Sequence, residues 1–208
     1  MAKEEKRKKI REAAARLFAE KGFENTTTRD IAEAAGINNA SLYYYFDSKE
    51  QLLYQILEEV IRTGLERMTE IEQSPRPLKE KLALTLRIHT TAAVDFDKMK
   101  LLVHDQRSLS PGHREELNQK QSEYVSRLIA ILQQLQDQGE MLDIDLTVCA
   151  YAFFGMVSWA YRWYRPEGKV KLEELSEIFY TIFTQGIYPK RRPGIKQLKT
   201  IDKKRTFL

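Results

Sequence analysis

The chain has 208 residues, 42% of them hydrophobic and 31% charged, which is long enough to bury a substantial core. No apolar run approaches the roughly eighteen residues of a membrane span, and the charged N-terminus lacks the apolar segment of a secretory signal. These features exclude a membrane protein and lead us to expect a cytoplasmic one. The formal net charge of +4 is uneven, because residues 189–208 carry eight Lys or Arg against one Asp, which leaves −3 for residues 1–188.

The first predicted element is an amphipathic helix from Lys3 to Lys21. Its apolar positions recur at helical spacing opposite charged ones, at Ile10, Ala14, Leu17 and Phe18. Gly22 ends the helix, and Phe23 follows as an anchor for the next elements. A core of three short helices is only marginally stable, so we expect this N-terminal unit to need contact with the helices that follow.

Residues 27–46, TTRDIAEAAGINNASLYYYF, indicate a helix, a glycine turn and a second short helix. Thr27 and Asp30 form a capping-box pattern, so the first helix should begin at Thr28. Gly36 ends that helix in a sharp turn, and Asn38 is a good cap for the next one. This order is typical of a helix-turn-helix, although an ordinary helical hairpin with buried tyrosines has the same periodicity.

The exposed side of the second short helix carries amides, a hydroxyl and phenols. Such groups bond to base edges and phosphate oxygens, and small side chains let a helix enter the major groove closely. Asn38 belongs to this predicted surface, and Lys49 should face outward one turn into the fourth helix. We predict that phosphates are held by Thr27, Thr28, Tyr43, Tyr45 and Lys49. We predict that bases are faced by Arg29, Asn39, Ala40, Ser41 and Tyr44.

Residues 7–53, RKKIREAAARLFAEKGFENTTTRDIAEAAGINNASLYYYFDSKEQLL, closely resemble the DNA-binding domain of the TetR/AcrR family of bacterial and archaeal regulators. The shared motifs are AAxxLFxEKGFxxTT, DIAxxAGI, LYYYF and SKEQLL. The resemblance implies a three-helix DNA-binding domain over residues 1–47, a homodimer on a double-stranded operator and a ligand-controlled repressor. Asn38-Asn39-Ala40 stands where many members carry Ser-Lys-Gly, so a common phosphate-seeking lysine is absent here.

Apolar positions at helical spacing continue through residues 48–188, and no alternating run predicts a strand. A fourth helix, Ser48 to Glu72, should bridge the DNA-binding domain and the body. Further helices are predicted at Leu78–Val94, Phe96–His104, His113–Gln138, Leu146–Tyr164 and from Leu172 onward. We therefore predict an all-α fold of about nine helices, in which the resemblance identifies residues 48–188 as a ligand-binding and dimerisation domain.

The most apolar segment is LTVCAYAFFGMVSWAYRWY, from Leu146 to Tyr164. A helix that is hydrophobic all round must be covered on more than one side. We predict that it pairs with the helix after it and with the same hairpin of a second subunit, which would set two recognition helices about 34 Å apart on a near-palindromic operator. The predicted interface residues are Leu146, Ala150, Phe153, Val157, Leu175, Phe179 and Ile182. We interpret Cys149, the single cysteine, as core rather than a redox sensor.

A small-molecule site is usually an apolar cavity with a few convergent polar groups. Trp159, Arg162 and Trp163 lie at i, i+3 and i+4, so they would share one helical face able to stack on an adenine and hold a phosphate. The predicted wall comprises Arg107, Tyr124, Phe154, Met156, Trp159, Arg162, Trp163 and Arg165. The alternative is structural, with cations complementing a helix dipole and aromatic rings closing a core.

Two short segments, GMVSWAYRWYRPEG and DQRSLSPGHREEL, also resemble the branch of TetR-like repressors that respond to CoA thioesters. This resemblance implies an acyl-CoA effector. Its acyl chain would lie along the apolar helices and its CoA head near the Arg and Trp cluster.

His89, His104 and His113 occur without HExxH, paired cysteines or a carboxylate cluster at ligand spacing. No metal, catalytic residue or cofactor is therefore predicted. The leading interpretation is a homodimeric repressor released by a small molecule. The alternatives are a ligand-binding or scaffold protein with an architectural helix-turn-helix, an enzyme with an unrecognised helical site, or an activator. The basic tail, residues 189–208, either adds phosphate affinity or is a solvated, mobile terminus.

Overall fold

The computed structural model describes residues 2–186, which form nine α-helices and no strand. The helices are α1 (Ala2–Lys21), α2 (Thr28–Ala35), α3 (Asn39–Tyr45), α4 (Lys49–Gln73), α5 (Leu78–Ala93), α6 (Phe96–His104), α7 (Pro111–Asp137), α8 (Leu146–Ser158) and α9 (Leu172–Gln185). Two 3₁₀ turns, Gln106–Ser108 and Trp159–Arg162, follow α6 and α8. The predicted all-α fold is confirmed, and the predicted basic tail lies outside the described residues. None of the described helices is long and apolar enough to cross a membrane.

Helices α1 to α3 close over a small apolar core. Phe18, Ile31 and Phe46 are almost completely buried there, and the rings of Phe18 and Phe23 lie 5.2 Å apart between centroids. The same core continues along α4 and reaches α6, the loop after it and α7. Its further members are Leu52, Leu53, Ile56, Leu57, Ile61, Leu101, Leu109 and Leu117. The boundary predicted after residue 47 therefore runs through one continuous core, and the body supplies part of the packing of the first three helices.

Polar contacts reinforce this junction between the N-terminal helices and the body. Nε of Arg11 on α1 lies 2.9 Å from Oε2 of Glu59 on α4. Lys100 on α6 donates a hydrogen bond to the backbone carbonyl of Ala19 at the end of α1. The first three helices are thus attached to the body by charged groups as well as by apolar packing.

A second core lies between α5, α7, α8 and α9. Its centre is the inner face of α8, where Ala150, Phe153 and Val157 are completely buried. The ring of Phe153 meets that of Phe183 on α9 at 5.2 Å between centroids. Helices α8 and α9 pack on each other, as the sequence predicted, and α5 and α7 cover them from inside the subunit.

The predicted helix from Leu146 to Tyr164 is shorter in the structure. The α-helix ends at Ser158, and Trp159–Arg162 forms a 3₁₀ turn. The amides of Trp163 and Tyr164 both donate to the carbonyl of Ala160, which closes the segment. Tightening of the last turn is common at helix C-termini, and Pro166 disfavours helical geometry at the residue before it.

Candidate DNA-binding surface and internal cavity

The start of α2 is fixed by a reciprocal cap between Thr27 and Asp30. Oγ1 of Thr27 accepts a hydrogen bond from the amide of Asp30 at 3.1 Å, and the Asp30 carboxylate accepts from the Thr27 amide at 2.8 Å. The Thr27 hydroxyl also donates to that carboxylate at 2.6 Å, and with the Thr27 amide and Lys21 it lowers the pKa of Asp30 to about 2. The predicted capping box is confirmed. Because the single hydroxyl proton of Thr27 is already donated, this arrangement does not offer it to a phosphate.

The turn between α2 and α3 is built on Gly36 and Asn38. Gly36 has φ +68°, in the left-handed region that favours glycine, and its amide donates to the carbonyls of Ala32 and Glu33. Oδ1 of Asn38 accepts from the amide of Ser41 at 2.7 Å and caps α3. The side chain of Asn38 was predicted to contact DNA. In the structure its oxygen instead caps the first turn of α3.

Helix α3 presents one face to solvent. Tyr43 is 51% exposed and Tyr44 69% exposed, and neither side chain is needed to fill the core. The hydroxyl of Tyr43 lies 3.4 Å from Oγ1 of Thr28 on α2, so the two helices meet at one surface. The predicted contact residues on this surface are Thr28, Arg29, Asn39, Ala40, Ser41, Tyr43 and Tyr44, and all are exposed or half-buried. Tyr45 is half-buried and packs its ring against the N-terminal core instead.

Lys49 does not face outward as predicted. Its ammonium donates to the backbone carbonyl of Phe23 at 2.7 Å and to that of Glu24 at 3.4 Å. It also lies 4.2 Å from the centroid of the Phe23 ring. The carbonyls of the turn after α1 are stronger partners for this side chain than open solvent, because they satisfy two donors beside an aromatic face.

A cavity of about 530 Å³ lies in the body. Its walls are largely aliphatic and aromatic, and they come from α4, α5, α6, α7 and α8. The lining residues are Val60, Ile61, Thr63, Gly64, Arg67, Ile88, His89, Thr91, Ala92, Met99, Leu102, Val103, Asn118, Gln121, Ser122, Tyr124, Val125, Tyr151, Phe154 and Ser158. Tyr151 is also 59% exposed, so the cavity reaches the outer surface beside α8.

A few polar groups interrupt the apolar wall. Nε2 of His89 lies 3.4 Å from Oγ of Ser158, and the imidazole meets the ring of Phe154 edge-on at 4.7 Å. Burial lowers the pKa of His89 to about 4, so the ring is neutral at physiological pH. Burial also raises the pKa of Tyr124, whose ring packs so closely on α4 that a methyl group at Gly64 would lie 2.9 Å from its Cε2. The site thus offers a neutral imidazole and a neutral phenol within a mostly apolar enclosure, and Arg67 is the charged residue of its lining.

Two of the eight predicted ligand residues, Tyr124 and Phe154, line this cavity. Arg107 lines a neighbouring hollow of about 340 Å³ that shares Leu102 and Val103 with it. The other five lie outside both hollows: Met156, Trp159, Arg162, Trp163 and Arg165.

The predicted Trp and Arg face fails because the α-helix ends before it. In the 3₁₀ turn the guanidinium of Arg162 covers the ring of Trp159 at 4.6 Å, and both side chains are exposed. Trp163 packs edge-on against Phe179 of α9, with centroids 6.3 Å apart. Trp159, Arg162 and Trp163 are therefore exposed side chains that contact neighbouring rings and do not line the cavity.

Several cavity residues were missed from the sequence. Two of them are His89, noted only as lacking metal partners, and Gly64, which was not predicted to have a role. The available signal was their spacing: His89 follows apolar Ile88 on α5, and Gly64 follows Val60 and Ile61 by one helical turn on α4. Such spacing marks a buried face without showing whether that face meets protein atoms or a void.

The residues predicted to form the dimer interface do not share an exposed surface. Six of the seven are buried inside the subunit: Leu146, Ala150, Phe153, Val157, Leu175 and Phe179. Only Ile182 is exposed. Apolar side chains that face the core and apolar side chains that face a second subunit recur with the same helical period. The sequence pattern therefore did not distinguish the two faces.

The exposed apolar side chains of this hairpin lie on its other side. Val148 is 67% and Trp159 53% exposed. We define the outer α8–α9 face as Val148, Ala152, Gly155 and Trp159, which recur at helical spacing, together with Ile178 and Ile182. This face has no covering element among the described residues of one subunit.

His104 and His113 each form a hydrogen bond with one other side chain and, among the residues that the structure describes, do not belong to a metal-binding group. Nε2 of His104 lies 2.7 Å from the hydroxyl of Tyr161, and Nδ1 of His113 lies 2.9 Å from Oε1 of Glu50. Within residues 2–186 no group of three or more His, Cys, Asp or Glu side chains could hold a metal ion.

Two family models match the chain. Residues 10–56 match that of the bacterial regulatory proteins of the tetR family, and residues 75–187 match the tetracyclin repressor-like C-terminal domain. Among curated proteins, the HTH-type transcriptional repressor KstR2 of Rhodococcus jostii is 32% identical, over 88% of this chain and 91% of that protein. The fatty acid metabolism regulator protein of Bacillus subtilis is 26% identical, over 87% of this chain and 95% of its own.

Among solved structures, the chain resembles AibR in complex with isovaleryl coenzyme A and operator DNA. The TM-score is 0.75 at 27% identity, and the match covers 85% of this chain and 97% of AibR. The likeness therefore extends over both the N-terminal helices and the body.

Proposed function

This chain belongs to the TetR family of bacterial regulatory proteins and is a ligand-responsive DNA-binding repressor; from that premise we propose how its residues carry out the function. Two copies form a homodimer, and each inserts α3 into the major groove of one half of a near-palindromic operator. A small molecule in the cavity then changes the separation of the two recognition helices and releases the DNA.

The observation that supports this most directly is the exposed face of α3. Tyr43 and Tyr44 point to solvent from a helix that is capped at its start by Asn38 and anchored below by Leu42. Their phenol groups can bond to phosphate oxygens and base edges. We propose that Thr28 and Tyr43 contact phosphates, while Arg29, Asn39, Ala40, Ser41 and Tyr44 face the bases. In this proposal Thr27 and Lys49 hold the helices in place.

The division between phosphate-contacting and base-contacting residues can be tested by comparing binding to operator and random-sequence duplexes. Tyr43→Phe should weaken binding to both duplexes by a similar factor, since it removes a phosphate contact. Asn39→Ala should instead reduce the ratio of operator to random affinity. Equal losses on both duplexes from both variants would contradict the division between phosphate and base contacts.

We propose that the outer α8–α9 face is the dimer interface. It exposes an aliphatic and aromatic surface that one subunit leaves uncovered, and Gly155 and Ala152 allow a second helix to approach closely. Pairing this face with its copy about a two-fold axis gives a four-helix arrangement.

For the effector we propose an acyl-CoA thioester. AibR has been solved with isovaleryl coenzyme A, and the cavity described here is apolar with few polar groups, as an acyl chain requires. We propose that the acyl group occupies this cavity. The CoA phosphates would then lie towards Arg107, because the hollow that contains Arg107 adjoins the cavity at Leu102 and Val103.

Calorimetry with isovaleryl-CoA tests this class, with free CoA and isovalerate as the two half-ligands. Binding of the thioester should exceed that of either half and should release operator DNA in a gel shift. Arg107→Gln should weaken binding, whereas the matched Arg162→Gln, which removes an exposed cation outside both hollows, should not. Absence of binding by any tested acyl-CoA, with operator binding intact, would exclude the class.

We also infer that the protein acts in the cytoplasm, where chromosomal operators lie, and does not turn over its effector. Its relatives are named as transcriptional regulators. Recovery of unchanged thioester after prolonged incubation, measured by mass spectrometry, is the expected result.

A further inference from the structure

The N-terminal half of α1 runs beside the recognition helix. Nζ of Lys3 lies 5.0 Å from the centroid of the Tyr44 ring, and the guanidinium of Arg7 lies 5.5 Å from that of Phe46 at the end of α3. Tyr44 is the most exposed large side chain of α3. The ammonium of Lys3 is therefore held at the edge of the surface that faces DNA.

A second cation of α1 lies near the other end of α3. A methyl group built on Gly36, in the turn before α3, would be 3.6 Å from Nζ of Lys9. Lys6 is exposed and lies one turn from both Lys3 and Lys9, at i+3 and i−3. We define the α1 lysine row as Lys3, Lys6 and Lys9. Its two ends, Lys3 and Lys9, lie near the last turn of α3 and near the turn that precedes α3.

In the described part of the chain, the ammonium groups of the α1 lysine row take part in none of the ion pairs of α1. The ion pairs that α1 makes in the described part of the chain use other cations, namely Lys8 with Glu12, Arg11 with Glu4 and Glu59, and Lys21 with Asp30. Six residues of α-helix span about 9 Å, a length over which one strand of B-DNA presents two or three phosphates. The number and spacing of the ammonium groups suit a stretch of phosphate backbone.

From these positions we propose that the α1 lysine row binds the DNA backbone that flanks the groove occupied by α3. This site lies outside the helix-turn-helix, and its ligand is the phosphate of duplex DNA rather than any base. The proposal rests on the DNA-binding function proposed above. It adds affinity that does not depend on sequence, and it supplies cations beside a recognition helix that itself carries none: Asn39-Ala40-Ser41-Leu42-Tyr43-Tyr44-Tyr45 has no Lys or Arg.

The test measures affinity for a random-sequence duplex as salt is raised, by fluorescence anisotropy. Lys3→Gln and Lys9→Gln each remove two charges from a dimer, so each should reduce the slope of log affinity against log salt by about 1.8 and lower affinity at 0.1 M salt roughly ten- to sixtyfold. Lys8→Gln is the matched control, because it removes the same charge from the side of α1 where Lys8 pairs with Glu12. It should leave the slope unchanged.

Two results would overturn the proposal. One is an unchanged slope in Lys3→Gln and Lys9→Gln, and the other is an equal change in Lys8→Gln, which would mean that only total charge matters. If Lys3→Gln instead altered the ratio of operator to random affinity at constant slope, Lys3 would be a support for Tyr44 and the proposal would fail. Failure of the wild-type protein to bind any duplex would refute the DNA-binding function itself, which is a separate result. Circular dichroism of each variant checks that α1 is still folded.

Discussion

The imidazole of His113 lies flat against the ring of Tyr54, with centroids 4.1 Å apart and planes 10° apart. Oε1 of Glu50 lies 2.9 Å from Nδ1 of the same imidazole and accepts a hydrogen bond from the amide of Ser110 at 2.8 Å. Glu50 and Tyr54 belong to the first turns of α4, directly after the DNA-binding helices, whereas His113 begins α7 of the body. This contact joins the start of α4 to the start of α7.

Replacement of Glu50 by Gln should destabilise the protein in a pH-dependent way. Burial alone would raise the pKa of Glu50, but the hydrogen bonds from Ser110 and His113 outweigh it and lower the pKa below 4.5. A carboxyl with a lowered pKa contributes stability above its unfolded pKa and loses it as pH falls through the folded value. We expect Glu50→Gln to cost about 1 kcal/mol at neutral pH, given its partial exposure.

Urea denaturation at neutral pH and near pH 3 measures that difference. The deficit of Glu50→Gln should shrink at the lower pH. Glu66→Gln, which breaks an exposed pair with Arg62, is the control and should show little loss at either pH. A deficit of the same size at both values would show that the carboxylate charge is not what stabilises the contact.

His89 should make the protein less stable as pH falls from 6.5 to about 4. Burial lowers the pKa of its imidazole to about 4, so the unfolded chain takes up a proton in this range and the folded one does not. Below pH 4 this loss is complete and adds nothing further. Thermal melts of wild-type protein and His89→Gln across the range should converge as pH falls. Parallel curves would contradict a neutral imidazole at this position.

Gly64 and Tyr124 should be energetically coupled. A Cβ at position 64 would lie 2.9 Å from Cε2 of Tyr124, so Gly64→Ala must displace the ring within the cavity. The same change favours the helix by about 1 kcal/mol, and this gain should appear only where the ring is absent. We expect Gly64→Ala to stabilise a Tyr124→Leu background by about 1 kcal/mol and to be neutral or destabilising in the wild type. A double-mutant cycle by urea denaturation measures the coupling, and additive effects would argue against the close approach.

The outer α8–α9 face should control oligomeric state. Val148→Glu places a charge where Val148 is 67% exposed in one subunit, so it should not unfold the monomer. In a dimer two such charges would meet in an apolar interface, and sedimentation velocity should detect monomers. Val103→Glu, at an exposed aliphatic position on α6, is the comparison and should remain dimeric. A dimer that persists in Val148→Glu would place the interface elsewhere.

Local chemistry allowed the N-terminal helices to be predicted closely. The cap at Thr27, the turn at Gly36 and the cap at Asn38 each depend on a few adjacent residues, and the structure has all three. What the local pattern did not reveal was that these side chains are already engaged. The Thr27 hydroxyl was interpreted as a free donor, but it donates to Asp30, the partner in its own predicted capping box. The Lys49 ammonium finds the carbonyl of Phe23 through packing that the sequence does not display.

The cavity and the interface were predicted less well, because both depend on which side of an apolar helix faces inward. Phe153 and Val157 repeat with the same period as Val148 and Trp159, and only the packing of α5 and α7 decides which pair is buried. Likewise, the spacing of Trp159 and Trp163 would place them on one face only if the α-helix continued. In the structure the α-helix ends at Ser158 and a 3₁₀ turn follows.

Helices α1 to α4 share one core with Leu101, Leu109 and Leu117, and this limits how the DNA-binding helices can be exchanged between proteins. A chimera that joins residues 1–47 to another body would leave Phe18 and Phe46 without the leucines that α4, α6 and α7 supply to the same core. To transfer its operator preference to a relative, the exposed residues of α3 should be introduced into the relative's own sequence. Exchanging whole segments at the predicted domain boundary, after residue 47, would divide the shared core.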